Sequence, residues 1–212
     1  MSISQAGEHF KVAVRKPGVD AGTPGRILDV AERLVQQRGF NGFSYADVAA
    51  ELHITKASLH YHFASKGELG EALIARYAAR FLKALAAIDA QKGDGPAKLD
   101  AYAGLYADVL SEQRMCLCGM LAADYETLPK PMRDAVIRFF DENEAWLQGV
   151  LEEGRSKSRL HFNGSAANAA RLILSALEGA MLVARPYGDP ERFQAAATRL
   201  LGSIAATAAG TA

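Results

Sequence analysis

Residues 44–69 read SYADVAAELHITKASLHYHFASKGEL, and the prediction of the fold starts from this stretch. Ser44 can cap the first amides of a helix, and Asp47 favours the positive end of the same helix. The apolar side chains that follow recur with helical spacing. We therefore predict a short helix over residues 45–52.

A second short helix is predicted after a three-residue turn, His53-Ile54-Thr55. The hydroxyl of Thr55 can cap the start of a helix over residues 56–62. Two helices of about two turns each are not stable alone. An earlier helix carries one apolar stripe between Ile27 and Val35, against which both short helices can pack. This arrangement predicts a helix-turn-helix.

The second short helix carries side chains suited to reading nucleic acid. It offers hydrogen-bonding and positively charged groups, and the small Ala57 allows close approach to a groove. Ser65 begins a further helix, where Lys66 and the free amides of the first turn predict a phosphate-binding corner. The predicted DNA-contacting residues are Ser44, Tyr45, Thr55, Lys56, Ala57, Ser58, His60, Tyr61, His62 and Lys66.

The run LHYHFASKGEL, residues 59–69, resembles the Leu-Tyr-x-His-Phe-x-Ser-Lys-x-x-Leu signature of the TetR family of bacterial regulators. The resemblance is specific over roughly residues 26–73, and the length of the whole chain fits the family. It implies a homodimer with one helix-turn-helix per subunit and a divergent C-terminal domain that binds a small-molecule effector. The expected function is that of a repressor that binds a palindromic double-stranded DNA operator and is released by its effector.

Two positions depart from the family pattern. His53 occupies the turn position where glycine is usual, and His60 stands where tyrosine is usual. Histidine tolerates a left-handed backbone better than branched residues do, so we expect the turn to be retained. We expect His60 to alter base preference or the reach to a phosphate.

The rest of the chain indicates an all-α protein. Helical stretches alternate with short breakers and no window shows strand alternation, which gives about nine helices. We predict a flexible N-terminal tail over residues 1–22, a helix-turn-helix domain over residues 23–68, and a ligand-binding and dimerisation domain over residues 69–212.

Composition favours a soluble cytoplasmic protein. The 24 Lys and Arg residues balance 24 Asp and Glu residues, so net charge by itself does not indicate a nucleic-acid partner. Two cysteines rule out a disulfide framework and fit a reducing compartment. The N-terminus shows no apolar run of signal-peptide length. The most apolar stretch, residues 172–184, contains Glu178 and is shorter than the roughly 20 residues of a spanning helix, so no membrane partner is expected.

The sequence predicts neither an enzyme nor a cofactor or metal site. His60 and His62 are two residues apart on a helix, so they lie on nearly opposite faces and cannot bind a metal together. Glu-x-x-His pairs, a Gly-x-Ser-x-Gly elbow, a P-loop and a dinucleotide-binding glycine motif are absent from the sequence. One alternative stays open, namely a helical carrier or enzyme whose N-terminal part only resembles a DNA-binding domain.

Aromatic and methionine side chains on the apolar sides of the C-terminal helices suggest a pocket for an apolar or aromatic ligand. The alternative for each residue taken singly is ordinary core packing. The candidate ligand-binding residues are Tyr102, Tyr106, Cys116, Met120, Tyr125, Phe139, Trp146 and Met181.

Small residues on the helix over residues 166–185 would let another helix approach closely. Together with the last helix, this pattern suggests half of a four-helix dimer interface, as two-fold operator reading requires. The alternative is internal packing within a monomer. The predicted interface residues are Ala176, Gly179, Ala180, Leu200, Leu201 and Ile204.

Cys116 and Cys118 allow two interpretations. Free cysteines are among the most buried residue types, which favours small core hydrophobes. The alternative is a sensor of electrophiles or oxidants, because Cys116 resembles in placement a reactive cysteine of some electrophile-sensing TetR members. Such reactivity needs a lowered pKa, which a helix N-terminus or Arg114 would supply.

Overall fold

The computed structural model describes residues 22–205, and in this range the chain is all-α with nine α-helices, as predicted. Two single 3-10 turns, Tyr125–Thr127 and Arg185–Tyr187, complete the elements. The predicted N-terminal tail lies outside the described residues, apart from Gly22. The helices are α1 Thr23–Arg38, α2 Tyr45–Leu52, α3 Lys56–His62, α4 Lys66–Gln91, α5 Gly95–Ser111, α6 Leu117–Ala123, α7 Lys130–Ser156, α8 Ala166–Ala184 and α9 Pro190–Gly202.

The three N-terminal helices form the predicted helix-turn-helix. Ser44 and Asp47 make the capping box that starts α2, and Thr55 caps α3 by accepting a 3.1 Å hydrogen bond from the Ser58 amide. His53 adopts the left-handed conformation, with φ 54° and ψ 42°, so the turn expected at this position is confirmed. Leu59 of α3 is fully buried in the core.

Helix α4 joins this unit to the rest of the chain. Its 26 residues span about 39 Å at 1.5 Å per residue. Arg76 of α4 donates to Asp29 at 2.7 Å and to the buried carboxylate of Glu32 at 2.9 Å, and Arg80 also pairs with Glu32. These ion pairs connect α1 directly to α4.

Helices α5 to α9 form the larger helical layer, in which α8 packs against both α7 and α9. By length and composition alone, the segment Ala166–Tyr187 could cross a membrane. The same test is passed by core helices of soluble proteins, so it is weak evidence. Helix α8 packs against α7 and α9 on one side and carries the carboxylate of Glu178, while its other side is exposed.

Candidate functional site

Helix α3 presents an open polar face on the N-terminal side of the molecule. Lys56, Ala57, His60 and Tyr61 are exposed, and 86% of the Tyr61 surface is accessible. Among the described residues, the Lys56 side chain has no hydrogen bond or ion pair. A cation and a phenol that protrude from a short helix are available to a partner outside the protomer.

Two predicted DNA contacts are engaged inside the helix-turn-helix. The Tyr45 hydroxyl donates to the Phe63 carbonyl at 2.9 Å, and the ring lies 4.8 Å from the ring of His60. Burial, with a smaller contribution from the charge of Glu68, raises the pKa of Tyr45 to about 12. The Nδ1 atom of His60 lies 3.1 Å from the Ala64 carbonyl. These contacts lock the end of α3 against the start of α2.

The structure corrects the prediction that the Lys66 side chain binds a DNA phosphate. Its ammonium points inward, donating to the carbonyls of Phe40 at 2.6 Å and Phe43 at 2.5 Å. It also lies 4.7 and 4.3 Å from the centres of the two phenylalanine rings. Burial lowers the pKa of Lys66, although the charges of Asp124 and Asp47 oppose this effect. The loop after α1 leaves carbonyls without helical partners, and the ammonium satisfies two of them.

We therefore expect Lys66→Ala to act on stability rather than on phosphate contacts. The two carbonyls would lose a charged donor, which lowers the free energy of unfolding by about 1–3 kcal/mol. The slope of log affinity against log salt should stay that of the wild type, because no phosphate contact is removed. Urea unfolding and DNA titrations at several salt concentrations check both points. If the slope of log affinity against log salt is reduced by about one unit in Lys66→Ala, Lys66 contacts a DNA phosphate after all.

A cluster of aromatic side chains fills the centre of the larger helical layer. Phe81 is at its middle, with ring centres 5.2 Å from Phe139 and 6.1 Å from Tyr102. Tyr102 stacks on Trp146 at 5.5 Å and its hydroxyl donates to Asn143 Oδ1 at 3.1 Å. We call the following set the aromatic cluster: Tyr77, Phe81, Tyr102, Tyr106, Phe139 and Trp146.

Only part of the predicted ligand set belongs to this cluster. Tyr102, Tyr106, Phe139 and Trp146 do, and the sequence reasoning missed Tyr77 and Phe81 on α4. Cys116 contacts the cluster, since its Sγ lies 3.7 Å from the Tyr77 hydroxyl. Met181 is buried on α8. The predicted set therefore mixes residues that meet with residues that do not.

Met120 and Tyr125 lie away from the aromatic cluster, which corrects their assignment. Met120 Sδ lies 3.2 Å from the Arg185 guanidinium, and Tyr125 lies under the guanidinium of Arg133. Helix α6 runs from the core towards the loop after α1, so residues at its far end reach the N-terminal helices instead of the cluster. Asp124 there accepts hydrogen bonds from the amides of Phe40, at 2.7 Å, and Asn41, at 3.4 Å.

Both cysteines are buried, and their surroundings disfavour thiolates. Burial raises the pKa of Cys116 and of Cys118 well above the usual range, and the charge of Glu178 raises both further. Arg114 pairs with Glu112 at 3.4 Å. The expectation of a pKa lowered by Arg114 or a helix N-terminus is therefore wrong, and the structure supports the interpretation of both thiols as core residues.

Glu178 on α8 was not predicted as a site residue. The residue as a whole is partly buried, but its Oε1 atom is shielded from solvent and has no hydrogen-bond partner among the described residues. A thiol hydrogen bond from Cys116 reaches the carboxylate, and burial raises the pKa of Glu178 to about 7. The sequence held one signal for it, since Glu178 is the single charged residue in the apolar stretch 172–184.

A surface groove of about 750 Å³ runs between α4 and α7. Small side chains leave room for it, including Ala75 and Ala78 of α4 and Ala135 of α7, and Phe139 lines its floor. Phe139 also belongs to the aromatic cluster, so the groove and the cluster share this side chain. Charged side chains of both signs line the same groove, namely Glu71, Lys130, Asp134, Arg138 and Glu142.

The outer face of α8 carries an apolar stripe of helical spacing. Leu172, Leu182 and Val183 are each about 60% exposed, and Gly179 lies exposed between them. Of the predicted interface residues of α8, Ala176 and Ala180 are half-buried beside this stripe. An exposed face of this kind suits contact with a second copy of the chain.

On α9 the predicted interface residues pack partly against the protomer's own core. Leu201 is buried, and Leu200 and Ile204 are half-buried against the protomer's own core. Helical periodicity explains this placement, because the most apolar face of an amphipathic helix packs against the core of its own protomer. A shallow hollow of about 650 Å³ lies on the outward face, lined by Glu191, Gln194, Ala195, Thr198, Arg199 and Gly202.

No metal centre is found in residues 22–205, where no three His, Cys, Asp or Glu side chains converge. The sites supported by geometry are therefore the exposed face of α3 and the aromatic cluster with its neighbouring Glu178.

Two segments of the chain match known protein families. Residues 27–73 match the family described as bacterial regulatory proteins, tetR family. Residues 95–200 match the family described as tetracyclin repressor-like, C-terminal domain. These two matches cover the helix-turn-helix and most of the larger helical layer.

Several similar proteins are described as transcriptional regulators or repressors. A transcriptional regulator of Agrobacterium tumefaciens has 32% identity and a TM-score of 0.83, with 86% of this chain and 97% of that chain covered. A TetR transcriptional regulator of Legionella pneumophila has 35% identity and a TM-score of 0.76, with 87% and 98% covered. The HTH-type transcriptional repressor NemR of Escherichia coli K12 is 28% identical over 165 residues, which is 75% of this chain and 82% of NemR.

Proposed function

The chain belongs to the TetR family of bacterial transcriptional regulators, which are not enzymes, and from this premise we propose the operation of its two sites. It is a DNA-binding repressor that responds to a ligand. We propose that a cytoplasmic homodimer binds a palindromic operator with both α3 helices in the major groove. A small molecule bound at the aromatic cluster would then release the DNA.

The observation that carries the DNA-binding half is the open face of α3. An α-helix fits the major groove, where exposed polar side chains reach base edges and phosphates. Lys56, with no partner in the described part of the chain, is suited to a phosphate, and Ala57 permits close approach. Ser58, Tyr61 and His62 offer hydrogen-bonding groups near the same face.

Replacement of Lys56 tests this placement. We expect Lys56→Ala to weaken binding to operator and to unrelated DNA alike, and to reduce the salt slope by about 0.9, as for one lost phosphate contact. Fluorescence anisotropy with DNA from upstream of the protein's own gene, at salt concentrations from 50 to 200 mM, measures the slope. Lys83→Ala on the exposed side of α4 removes the same charge away from α3 and is the control. Equal slopes in both variants would place Lys56 outside the interface.

The ligand-binding half rests on the way α4 and α6 join the core to the helix-turn-helix. Tyr77 and Phe81 of α4 are part of the aromatic cluster. Arg76, which precedes Tyr77 on α4, forms an ion pair with Glu32 of α1. Asp124 at the end of α6 holds the loop that follows α1. A ligand that separates the rings would shift α4, and a shift of a few ångströms takes two α3 helices out of the roughly 34 Å spacing of successive major grooves.

Reciprocal coupling provides the test of release. An effector that lowers operator affinity must itself bind less tightly to the DNA-bound protein by the same factor. Titration of a candidate ligand into free and operator-bound protein measures both affinities. Equal affinities would exclude that ligand as the effector.

A further inference from the structure

One oxygen of the Glu178 carboxylate is buried, and the group lacks a partner of opposite charge within residues 22–205. None of the ion pairs within residues 22–205 involves it, and its only hydrogen bond comes from the neutral thiol of Cys116. Its Oε1 atom is shielded from water and unpaired. Since an unpaired ionised group in a low-dielectric site is costly, the fold leaves a strong hydrogen-bond acceptor for which the described chain supplies no donor.

The neighbours of Glu178 cannot neutralise it. The titratable groups that interact electrostatically with Glu178 lie on α4, on α5 and at the start of α6. All are neutral acids with raised pKa values: Tyr77, Tyr102, Tyr106, Cys116 and Cys118. Tyr102 and Tyr106 already share a hydrogen bond of 3.0 Å, and the Tyr77 hydroxyl donates to Cys116. No cation is among these groups.

The backbone at α6 makes room for the carboxylate. A Cβ atom at Gly119 would lie 2.4 Å from Glu178 Oε2, so any larger residue there would displace the carboxylate. Glycine at this position therefore lets α6 pass close to the acidic group, whose Oε1 atom stays buried without a hydrogen-bond partner in the described part of the chain.

The aromatic cluster supplies the second half of a cation site. Ring faces carry partial negative charge, and a carboxylate beside several rings is an arrangement that attracts an organic cation. The groove between α4 and α7 shares Phe139 with the cluster. The Phe139 ring lies 5.6 Å from that of Tyr77, whose hydroxyl donates to Cys116 beside Glu178. Passage of a ligand from the groove to the cluster would require the Phe139 ring to move.

We propose that Glu178 anchors a cationic effector, a protonated amine carried by an aromatic or apolar body, and this inference rests on the proposed role of the aromatic cluster as the effector site. The ammonium donates to Oε1 of Glu178 and lies against the rings of the cluster. The apolar body takes the space between α4 and α7. A neutral alcohol of the same shape can donate a hydrogen bond to Oε1 but leaves the negative charge of the carboxylate uncompensated.

A series of arylalkylamines with one to four methylenes between phenyl ring and ammonium tests the proposal, with the matching alcohols as neutral partners. Isothermal titration of the intact dimer should show at least one amine that binds tenfold or more tightly than its alcohol. Glu178→Gln should remove that preference, whereas Glu152→Gln, an exposed carboxylate of α7, should keep it.

The pH dependence of wild-type binding gives a second readout that does not need the variant to fold. An arylalkylammonium stays protonated like lysine, and the pKa of Glu178 is about 7, so amine affinity should rise about tenfold from pH 6 to pH 8. Binding of no amine in the series, or equal binding of amines and alcohols, overturns the proposal.

The two proposals fail in different ways. If the protein binds its operator but binds none of the amines, the proposed DNA-binding function stands and the cation site is refuted. Amine binding that depends on Glu178, in a protein that binds no DNA, would refute the proposed function and leave the cation site standing.

Discussion

Replacement of Glu178 by glutamine should change the pH dependence of stability by about 2–3 kcal/mol between pH 5 and pH 8. The carboxyl has a pKa of about 7 when folded and an ordinary value near 4.5 when unfolded, so the folded state binds more protons across this range. The stability that wild type gains from the neutral acid is full below pH 4.5 and is lost as the pH rises through 7. Glutamine has no proton to lose. The free energy of unfolding of Glu178→Gln should therefore increase relative to that of the wild type as the pH rises.

Urea unfolding of the two proteins at pH 5, 6, 7 and 8, without added amine, measures the difference directly. Comparison with the variant cancels all other titrating groups, and Glu152→Gln controls for the loss of a negative charge from the surface. An unchanged difference across these pH values would mean that Glu178 is solvated in the folded protein, and the argument for an uncompensated buried charge would fall with it.

The substitution Gly179→Leu should dissociate the dimer. Within the protomer nothing lies within 4 Å of a Cβ at this position, so the leucine costs the fold no space. In a close two-fold crossing of α8 helices, the leucine of one subunit would clash with the α8 helix of the other subunit. Such overpacking costs about 1–3 kcal/mol per site. We expect a rise in the dimer dissociation constant of about tenfold to a hundredfold or more, and a loss of operator affinity because the two half-sites are no longer held together.

A matched variant separates the interface from helix chemistry. Gly149 is an exposed helical glycine of α7 with the same open space, so Gly149→Leu makes the same substitution away from α8. Sedimentation velocity at decreasing protein concentration should find Gly149→Leu dimeric like wild type. A Gly179→Leu protein that stays dimeric at the lowest concentration would place the subunit contact elsewhere, with the outward face of α9 as the next surface to change.

The helix-turn-helix could be predicted because its signals are local. Ser44, Thr55 and Ser65 each cap a helix within three residues of themselves, and His53 needs only its own backbone to adopt the left-handed turn. Capping and turn chemistry depend on neighbours in the chain, so the sequence by itself determined where the short helices begin and end. The all-α class followed from helical periodicity in the same way.

Only the tertiary structure decided which way individual side chains point. Lys66 was expected at a phosphate, but its ammonium donates to the carbonyls of Phe40 and Phe43, which lie more than twenty residues earlier in the chain. Leu201 was expected at the subunit contact, but its side chain is buried in the core of its own protomer. Glu178 became a candidate site because α4, α5 and α6 bring five neutral acids and no cation to it. Charge and burial at these positions are set by residues distant in sequence, and only packing brings those residues into contact.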